Sequence, residues 1–371
     1  MSKHDRIYKY TMAAMLIVFI GIIFVLNIIL PDRAFSEEEN RKLEQAPKFS
    51  KESLMKGKFT TKFEKYISDQ FAFRDMWVGV KSDAEKVIGK KENNGVYLGK
   101  DDYLLQKFDA PYEKSVSAKA DEINAYASMG SGVRKYFMLV PNSIRVLRDK
   151  LPADAPVADQ LKYIDNMKEM LDKNINFVDV YDSLYSKRNE YIYFKTDHHW
   201  TTNGAYYAYE KLGKVMGFTP HNKNYYNIKR VTDEFYGTLY SKSGFRHVSP
   251  DSIDLYIPKS GEKYKVEYFE ESRVSDSLYN MDNVNKKDKY ALFFNGNHPF
   301  IKISTNAKEH KRLLIIKDSY ANSLIPFLTS HYSEIYVVDP RYYDEDMELL
   351  IKDKNINDML IIYNVNTFFE K

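Results

Sequence analysis

Residues Thr11–Leu30 form an uncharged, mostly apolar run of twenty, including Met12, Leu16, Ile17, Val18, Phe19, Ile20, Ile22, Ile23, Phe24, Val25 and Leu26. No other stretch restricts the fold so strongly, because a helix of that length crosses a hydrocarbon core of roughly 30 Å. Lys3, Arg6 and Lys9 precede it. The positive-inside rule therefore predicts a cytoplasmic N-terminus, with everything after Pro31 outside the cytoplasmic membrane. A cleaved signal peptide is the alternative. Against it, the run is longer than a typical signal core, and Pro31-Asp32-Arg33-Ala34-Phe35 offers no small-x-small cleavage site. The expectation is an uncleaved single-pass anchor within residues 1–31.

The chain beyond it changes character twice. Asp32 to Ser50 is polar and reads as a juxtamembrane connector, followed by a helix over Phe59–Lys90 with Phe63, Tyr66, Ile67, Phe71, Trp77, Val80 and Val87 near helical spacing. From about residue 93, short apolar runs alternate with helical patterns. Strands are expected at Val96–Gly99, Tyr103–Leu105, Tyr136–Val140, Phe177–Val180, Leu313–Ile316, Ile335–Val338 and Met359–Ile362. Helices are expected at Val116–Met129, Ala158–Asp172, Asn203–Met216, Tyr320–Thr329 and Glu345–Lys352. Apolar strands alternating with helices predict an α/β fold with a mostly parallel sheet covered on both faces. Residues 219–309 break the rhythm and read as an irregular or β-rich insertion. The organisation predicted is anchor (1–31), connector and helical region (32–92) and an α/β domain (93–371) carrying the insertion.

Composition narrows the chemistry. A net charge of +3, with lysines spread among nearly as many acids, gives no footprint for nucleic acid. The absence of cysteine excludes disulfides, thiolate metal sites and a thiol nucleophile. The 31 tyrosines suit a sugar-binding cleft, but a bias toward Lys, Asn, Tyr and Ile explains them more simply.

Two short runs carry the reactive groups. Thr196-Asp197-His198-His199-Trp200-Thr201-Thr202-Asn203-Gly204 lies at an expected strand-to-helix junction and holds one of the two tryptophans. Lys317-Asp318-Ser319-Tyr320 lies at a second. Ser319 just beyond a strand's carboxyl end is where open α/β sheets bind ligands. A helix from Tyr320 would aim N–H groups at an oxyanion. Asp318 or Ser319 capping that helix is the simpler account of the pair. Asp197 and His199, two apart in an extended segment, project to one side, with His198 away. Asp197 could then orient His199, and His199 activate Ser319; His198 as base is the alternative. A polar turn capped by Thr201 or Thr202, or a metal site, would also use these residues. One cluster supplies too few ligands, and no His-x-x-x-His or Glu-x-x-His pattern supports a metal.

Asp197-His198-His199-Trp200, followed by Thr202-Asn203-Gly204, resembles the DHHW protein family of Gram-positive bacteria, which is similar to the SGNH-hydrolase-like proteins of alginate O-acetylation. The resemblance extends to Glu39-Asn40-Arg41-Lys42-Leu43 with Pro47, Asp69–Asp75, Val140–Ser143, Phe235-Tyr236-Gly237-Thr238-Leu239 and Lys317–Ser323. It implies an SGNH-like three-layer α/β/α domain and a Ser–His–Asp triad in altered chain order, mapped onto Ser319, His199 and Asp197. Lys317 stands where many SGNH enzymes carry Gly, and no Gly-x-Asn-Asp block is present. The oxyanion donor is therefore expected from the Ser319 N–H, with Asn142 or Gly237 as further candidates, and His198, Trp200 and Tyr320 are candidate substrate contacts.

These readings converge on a membrane-anchored, extracellular O-acyltransferase. It would carry acetyl to hydroxyls of a cell-surface polysaccharide without metal or cofactor. A carbohydrate acetylesterase would use the same triad, and a non-catalytic glycan-binding surface protein would keep it as a vestige. The resemblance also implies a partner, a multispanning protein of the membrane-bound O-acyltransferase family that hands acyl groups across the bilayer.

Overall fold

A computed structural model describes residues 3–370. The chain divides into two compact units, one comprising Met1–Lys90 with Gly244–Arg246, the other Lys91–Ser243 with His247–Lys371.

In the first unit, helix α1 (Lys3–Ile29) contains most of the apolar run and is long and apolar enough to cross a membrane. The single helix expected over Phe59–Lys90 is instead two, α2 (Lys58–Asp69) and α3 (Arg74–Val87). The break falls at Phe73, whose φ of 56° is left-handed and cannot continue a right-handed helix. An ion cluster fixes the break. Arg41 donates to both oxygens of the buried Asp69 at 2.8 and 2.6 Å, and Arg74 pairs with Glu39. The hydrogen bond from Arg41 holds the Asp69 carboxyl down to about 2, against the opposing effect of burial. Helical spacing in the sequence continued across a junction that these charges decide.

The second unit is built on an eight-stranded sheet. Its strands are β1 (Arg134–Val140), β2 (Ile175–Phe177), β3 (Tyr264–Tyr268), β4 (Arg273–Ser275), β5 (Phe300–Thr305), β6 (Arg312–Lys317), β7 (Glu334–Val338) and β8 (Asp358–Asn364). Their order is β4-β3-β5-β7-β6-β8-β1-β2, parallel from β7 to β2 and antiparallel from β4 to β7. Leu313–Ile316 and Met359–Ile362 are fully buried, so β6 and β8 are covered on both faces, as an α/β fold with a central parallel sheet requires. Helices Glu113–Ala125, Gln160–Met170 and Val365–Phe369 pack as one group, and Tyr181–Tyr185, Thr202–Met216 and Ile325–Leu328 as another.

Three local expectations need correction. Residues 219–309, read as an irregular or β-rich insertion, instead supply β3, β4 and the whole of β5 to the main sheet, extending it antiparallel from β7; within this stretch the hairpin Tyr226–Phe235 with Asp251–Pro258 forms a separate sheet. The strand expected at Phe177–Val180 is Ile175–Phe177. The helix expected from Tyr320 to Thr329 is a 3-10 turn, Ser319–Ser323, followed by the short helix Ile325–Leu328 with Pro326 in its first turn. Pro326 lacks the N–H that a helix running in from Tyr320 would use there.

Candidate active site

Pairing of β6 with β8, and of β8 with β1, brings three carboxyl strand ends side by side: Lys317 opposite Ile362 and Asn364 opposite Val140. Asp318 closes the end of β6. Its Oδ1 accepts the Tyr320 N–H at 2.9 Å, and its Oδ2 accepts both the Asn364 N–H (2.9 Å) and Nδ2–H (2.6 Å). Asp318 therefore caps the turn, and the Ser319 hydroxyl is left for another partner.

That partner is His199. Its Nε2 lies 2.7 Å from Ser319 Oγ, and its Nδ1 lies 2.6 Å from Asp197 Oδ1. Asp197 is buried and accepts from three further donors, the His199 N–H at 3.0 Å and the Thr238 N–H and Oγ1–H at 2.8 and 2.9 Å. Burial pushes its carboxyl up, but His198 and His199, with these hydrogen bonds, outweigh burial and hold it well below the usual carboxylate range. An ionised Asp197 takes a proton-bearing Nδ1 from His199, which leaves the Nε2 lone pair facing the Ser319 hydroxyl.

The backbone reaches this geometry by a different route from the extended segment expected. Tyr193 and Trp200 form an antiparallel bridge, and the Phe194 N–H bonds the His199 carbonyl, so Lys195–His199 is a tight bend. Asp197 turns back on His199 within it. His198 does not point away, since its ring centroid lies 3.8 Å from that of His199. Thr201 caps the helix Thr202–Met216, accepting the Gly204 N–H at 3.2 Å. Gly204 is required by space: a Cβ there would stand 2.2 Å from the Ile192 carbonyl oxygen.

The other candidate residues divide by what they touch. His198 Nδ1 is 2.7 Å from Thr238 Oγ1. Because that hydroxyl gives its proton to Asp197, His198 Nδ1 donates and its Nε2 keeps a lone pair. Nε2 makes no hydrogen bond among the described residues. Burial pushes the His198 imidazole down to about 4, and His199 adds to the effect. Trp200 is fully buried and donates Nε1–H to the Tyr320 carbonyl at 2.9 Å, joining the two runs. Tyr320 is buried, its N–H taken by Asp318 and its hydroxyl donating to the His198 carbonyl. Both are built into the frame and face no open space.

Asn142 and Gly237 do not present free donors. Asn142 Nδ2 bonds Tyr320 Oη (2.7 Å) and Asn364 Oδ1 (3.1 Å), and its N–H bonds Gln160 Oε1 (2.9 Å). The Gly237 N–H bonds Thr196 Oγ1 at 3.0 Å. Gly237 instead allows close approach, because a Cβ there would lie 2.3 Å from the Asp197 Cβ. The Ser319 N–H makes no hydrogen bond among the described residues. Lys317, in the position of the missing glycine, is buried with its Nζ 2.8 Å from Asn297 Oδ1 and 3.8 Å from Asp339. Burial lowers its ammonium to about 8.

Two contributors escape a sequence reading. Tyr290 stacks on His199 with centroids 3.8 Å apart and planes at 11°, while its hydroxyl donates to the Ser319 carbonyl at 3.1 Å. Buried Asp251 pins the start of the bend, accepting the Lys195 N–H, the Thr196 N–H and the Thr196 hydroxyl at 2.5–2.7 Å. Neither carries a local motif. Thr238 does lie in a recognised run, next to Gly237, and could have been found there.

Asp197, His198 and His199 also bring ligand-type atoms within 4.8 Å of one another. Both ring nitrogens of His199 are engaged, with Asp197 and Ser319, so the cluster as it stands is a hydrogen-bond relay.

Residues 94–338 match the sequence profile described as DHHW protein. The crystal structure of a DHHW family protein from Eubacterium siraeum is 26% identical over 76% of this chain and 94% of that one, with a TM-score of 0.67. Bacillus cereus PatB1, in a structure with a sulfonyl adduct, is 22% identical over 74% of this chain and 96% of its own, with a TM-score of 0.65. No curated protein matches the sequence.

Proposed function

The chain belongs to the DHHW family, and from that premise we propose that it is a membrane-anchored, extracytoplasmic O-acyltransferase that acetylates hydroxyls of a cell-surface polysaccharide. The observation that carries this reading is the unbroken relay Ser319 Oγ–His199–Asp197, at 2.7 and 2.6 Å. Ser319 Oγ attacks the acyl carbonyl carbon, and its proton passes to His199 Nε2. Asp197 stabilises the imidazolium without taking the proton. The Ser319 N–H is the donor closest to the developing oxyanion. Collapse returns the proton to the leaving group and leaves an acyl-Ser319. A sugar hydroxyl then gives its proton to His199 and attacks that ester, restoring Ser319. The unpaired Nε2 of His198 can accept from the incoming hydroxyl.

Water in place of the sugar would make the same relay an esterase. Helix α1 would hold the body at the membrane, beside a protein of the membrane-bound O-acyltransferase family as acyl donor.

The PatB1 adduct suggests the reagent. A sulfonyl fluoride should label Ser319 stoichiometrically and stop turnover of an activated acetyl ester, with no label in Ser319→Ala. Labelling elsewhere with loss of activity would remove Ser319 as nucleophile. Adding oligosaccharide to the ester assay should divert acetyl from free acetate to sugar, whereas an esterase would release acetate regardless.

A further inference from the structure

We infer that α2 and α3 form a second membrane contact: Ile67, Phe71 and Trp77, with the outer part of α1, line a groove that takes a phospholipid acyl chain, and the other exposed apolar residues of the two helices lie beside it. The inference rests on the reading of α1 as a membrane span.

The first observation is exposure. Phe63, Ile67, Phe71, Met76 and Val80 are 37–52% exposed, and Val87 and Ile88 at the end of α3 more so. Phe63 and Ile67 are one turn apart on α2, as are Met76 and Val80 on α3, so each helix presents a continuous apolar side. Patches of this kind mark an interface.

The second observation says what covers it. A cleft of about 700 Å³ runs between α1 and the α2–α3 pair. One wall is α1 itself, including Phe19, Ile23 and Phe24, and the other includes Ile67, Phe71 and Trp77. Side chains on the span are surrounded by acyl chains in any bilayer, so the medium that fills one wall's surroundings also fills the groove.

The cleft is also graded along its length. Asn27, Tyr66 and Gln70 lie at one end, where α1 finishes. Asn27 Oδ1 accepts the Ala72 N–H at 3.0 Å, Tyr66 donates to Asp32, and Gln70 exchanges hydrogen bonds with the Arg33 backbone. At the other end Phe19 meets Trp77 edge-on, with centroids 6.3 Å apart. Asn27 and Phe19 are eight residues apart, about 12 Å along a helix. Polar groups at the level of the headgroups and aromatic rings about 12 Å deeper match the profile of a single leaflet. Exposed Lys62, Lys65 and Lys81 can keep their ammonium groups at anionic headgroups while their stems lie along the apolar side.

The chain's two tryptophans make a direct test. The full-length protein is reconstituted in phosphatidylglycerol–phosphatidylcholine vesicles whose acyl chains carry bromine. Trp77 emission should be quenched by bromine in the chains and spared by aqueous acrylamide. The quenched fraction should vanish in Trp77→Phe, since Trp200 is buried in the other unit. Ile67→Glu with Phe71→Glu should weaken the bromine quenching. Quenching by acrylamide alone would put this face in water. Quenching by neither would mean that a protein, a second copy or another partner, covers it; either result overturns the inference. Carbonate extraction of the same vesicles separates the two readings. A chain that extracts defeats the span, whereas one that stays with unquenched Trp77 defeats only the groove.

Discussion

The two units use similar side chains in opposite ways. In the larger unit, aromatic rings are packed away: Trp200, Tyr193, Tyr209 and Tyr320 are all but inaccessible, and Tyr290 lies flat on His199. In the smaller unit, Phe63, Phe71 and Phe73 are left exposed. A buried ring fixes distances, and an exposed ring creates demand for a surface. The relay therefore depends on geometry set within one unit, whereas the N-terminal part should act through where it holds the protein. Damage to the first should abolish activity on every substrate. Damage to the second should be graded and should depend on the acceptor.

The sharpest way to break this contrast is at the relay. Ser319→Ala should abolish turnover of an activated acetyl ester, and His199→Ala should do nearly the same. Asp197→Asn should cost ~10²–10⁴-fold, the scale seen when a triad loses its orienting acid. His198→Ala should cost less than His199→Ala. Circular dichroism establishes equal folding, and a reversed order of the two histidines would make His198 the base.

Removing the residues before Asp32 tests the other side. The released body should keep its activity on the small ester yet lose most acylation of surface glycan in cells. A tether raises the local concentration of a partner without adding contacts. If the released form acylates surface glycan as well as the anchored one, hand-off from a membrane acyltransferase should be abandoned. Protease added to intact protoplasts should meanwhile digest the chain beyond Asp32; protection there, with digestion after lysis, would reverse the topology.

A third change separates packing from chemistry within the body. Gly237→Ala places a methyl where Asp197 already is, 2.3 Å from its Cβ. Overpacking of this kind costs about 1–3 kcal/mol, and here the backbone or the acid must move. A fall in melting temperature together with loss of activity is expected. Full activity would show that Asp197 has slack the relay does not need.

These outcomes also mark how far the sequence could be read. The sheet was legible because β6, β7 and β8 are uninterrupted apolar runs, which few other structures tolerate. The encounter of Ser319 with His199 was legible because each lies in a motif at a strand-to-helix junction. Its local reason was not: Asp197 meets His199 through a bend pinned by Asp251, a contact across more than fifty residues that no spacing encodes. Tyr290 was missed for the same reason, since a stacked ring has no signature outside the fold. The break between α2 and α3 was hidden because helical periodicity runs through it, and only the pairing of Asp69 with Arg41 shows where the backbone turns. The short turn after Ser319 reveals itself in the sequence only through Pro326.

The smallest expected effect concerns acid. Burial holds His198 at about 4 in the folded protein, against an ordinary 6.5, so the folded state binds that proton less readily than the unfolded chain. The unfolded state then carries more protons between those values, and stability rises with pH across that window. The contribution is complete above about 6.5 and is lost as pH falls toward about 4. The side chain is still 23% exposed, so solvent screens much of the effect. His331, also held at about 4 by burial, acts in the same window through its contact with Tyr209. Melting temperature against pH for the unaltered chain, His198→Asn and His331→Asn divides the two. Each variant should flatten the acid limb. An acid limb unchanged in His198→Asn would mean that this imidazole reaches solvent freely in the folded protein.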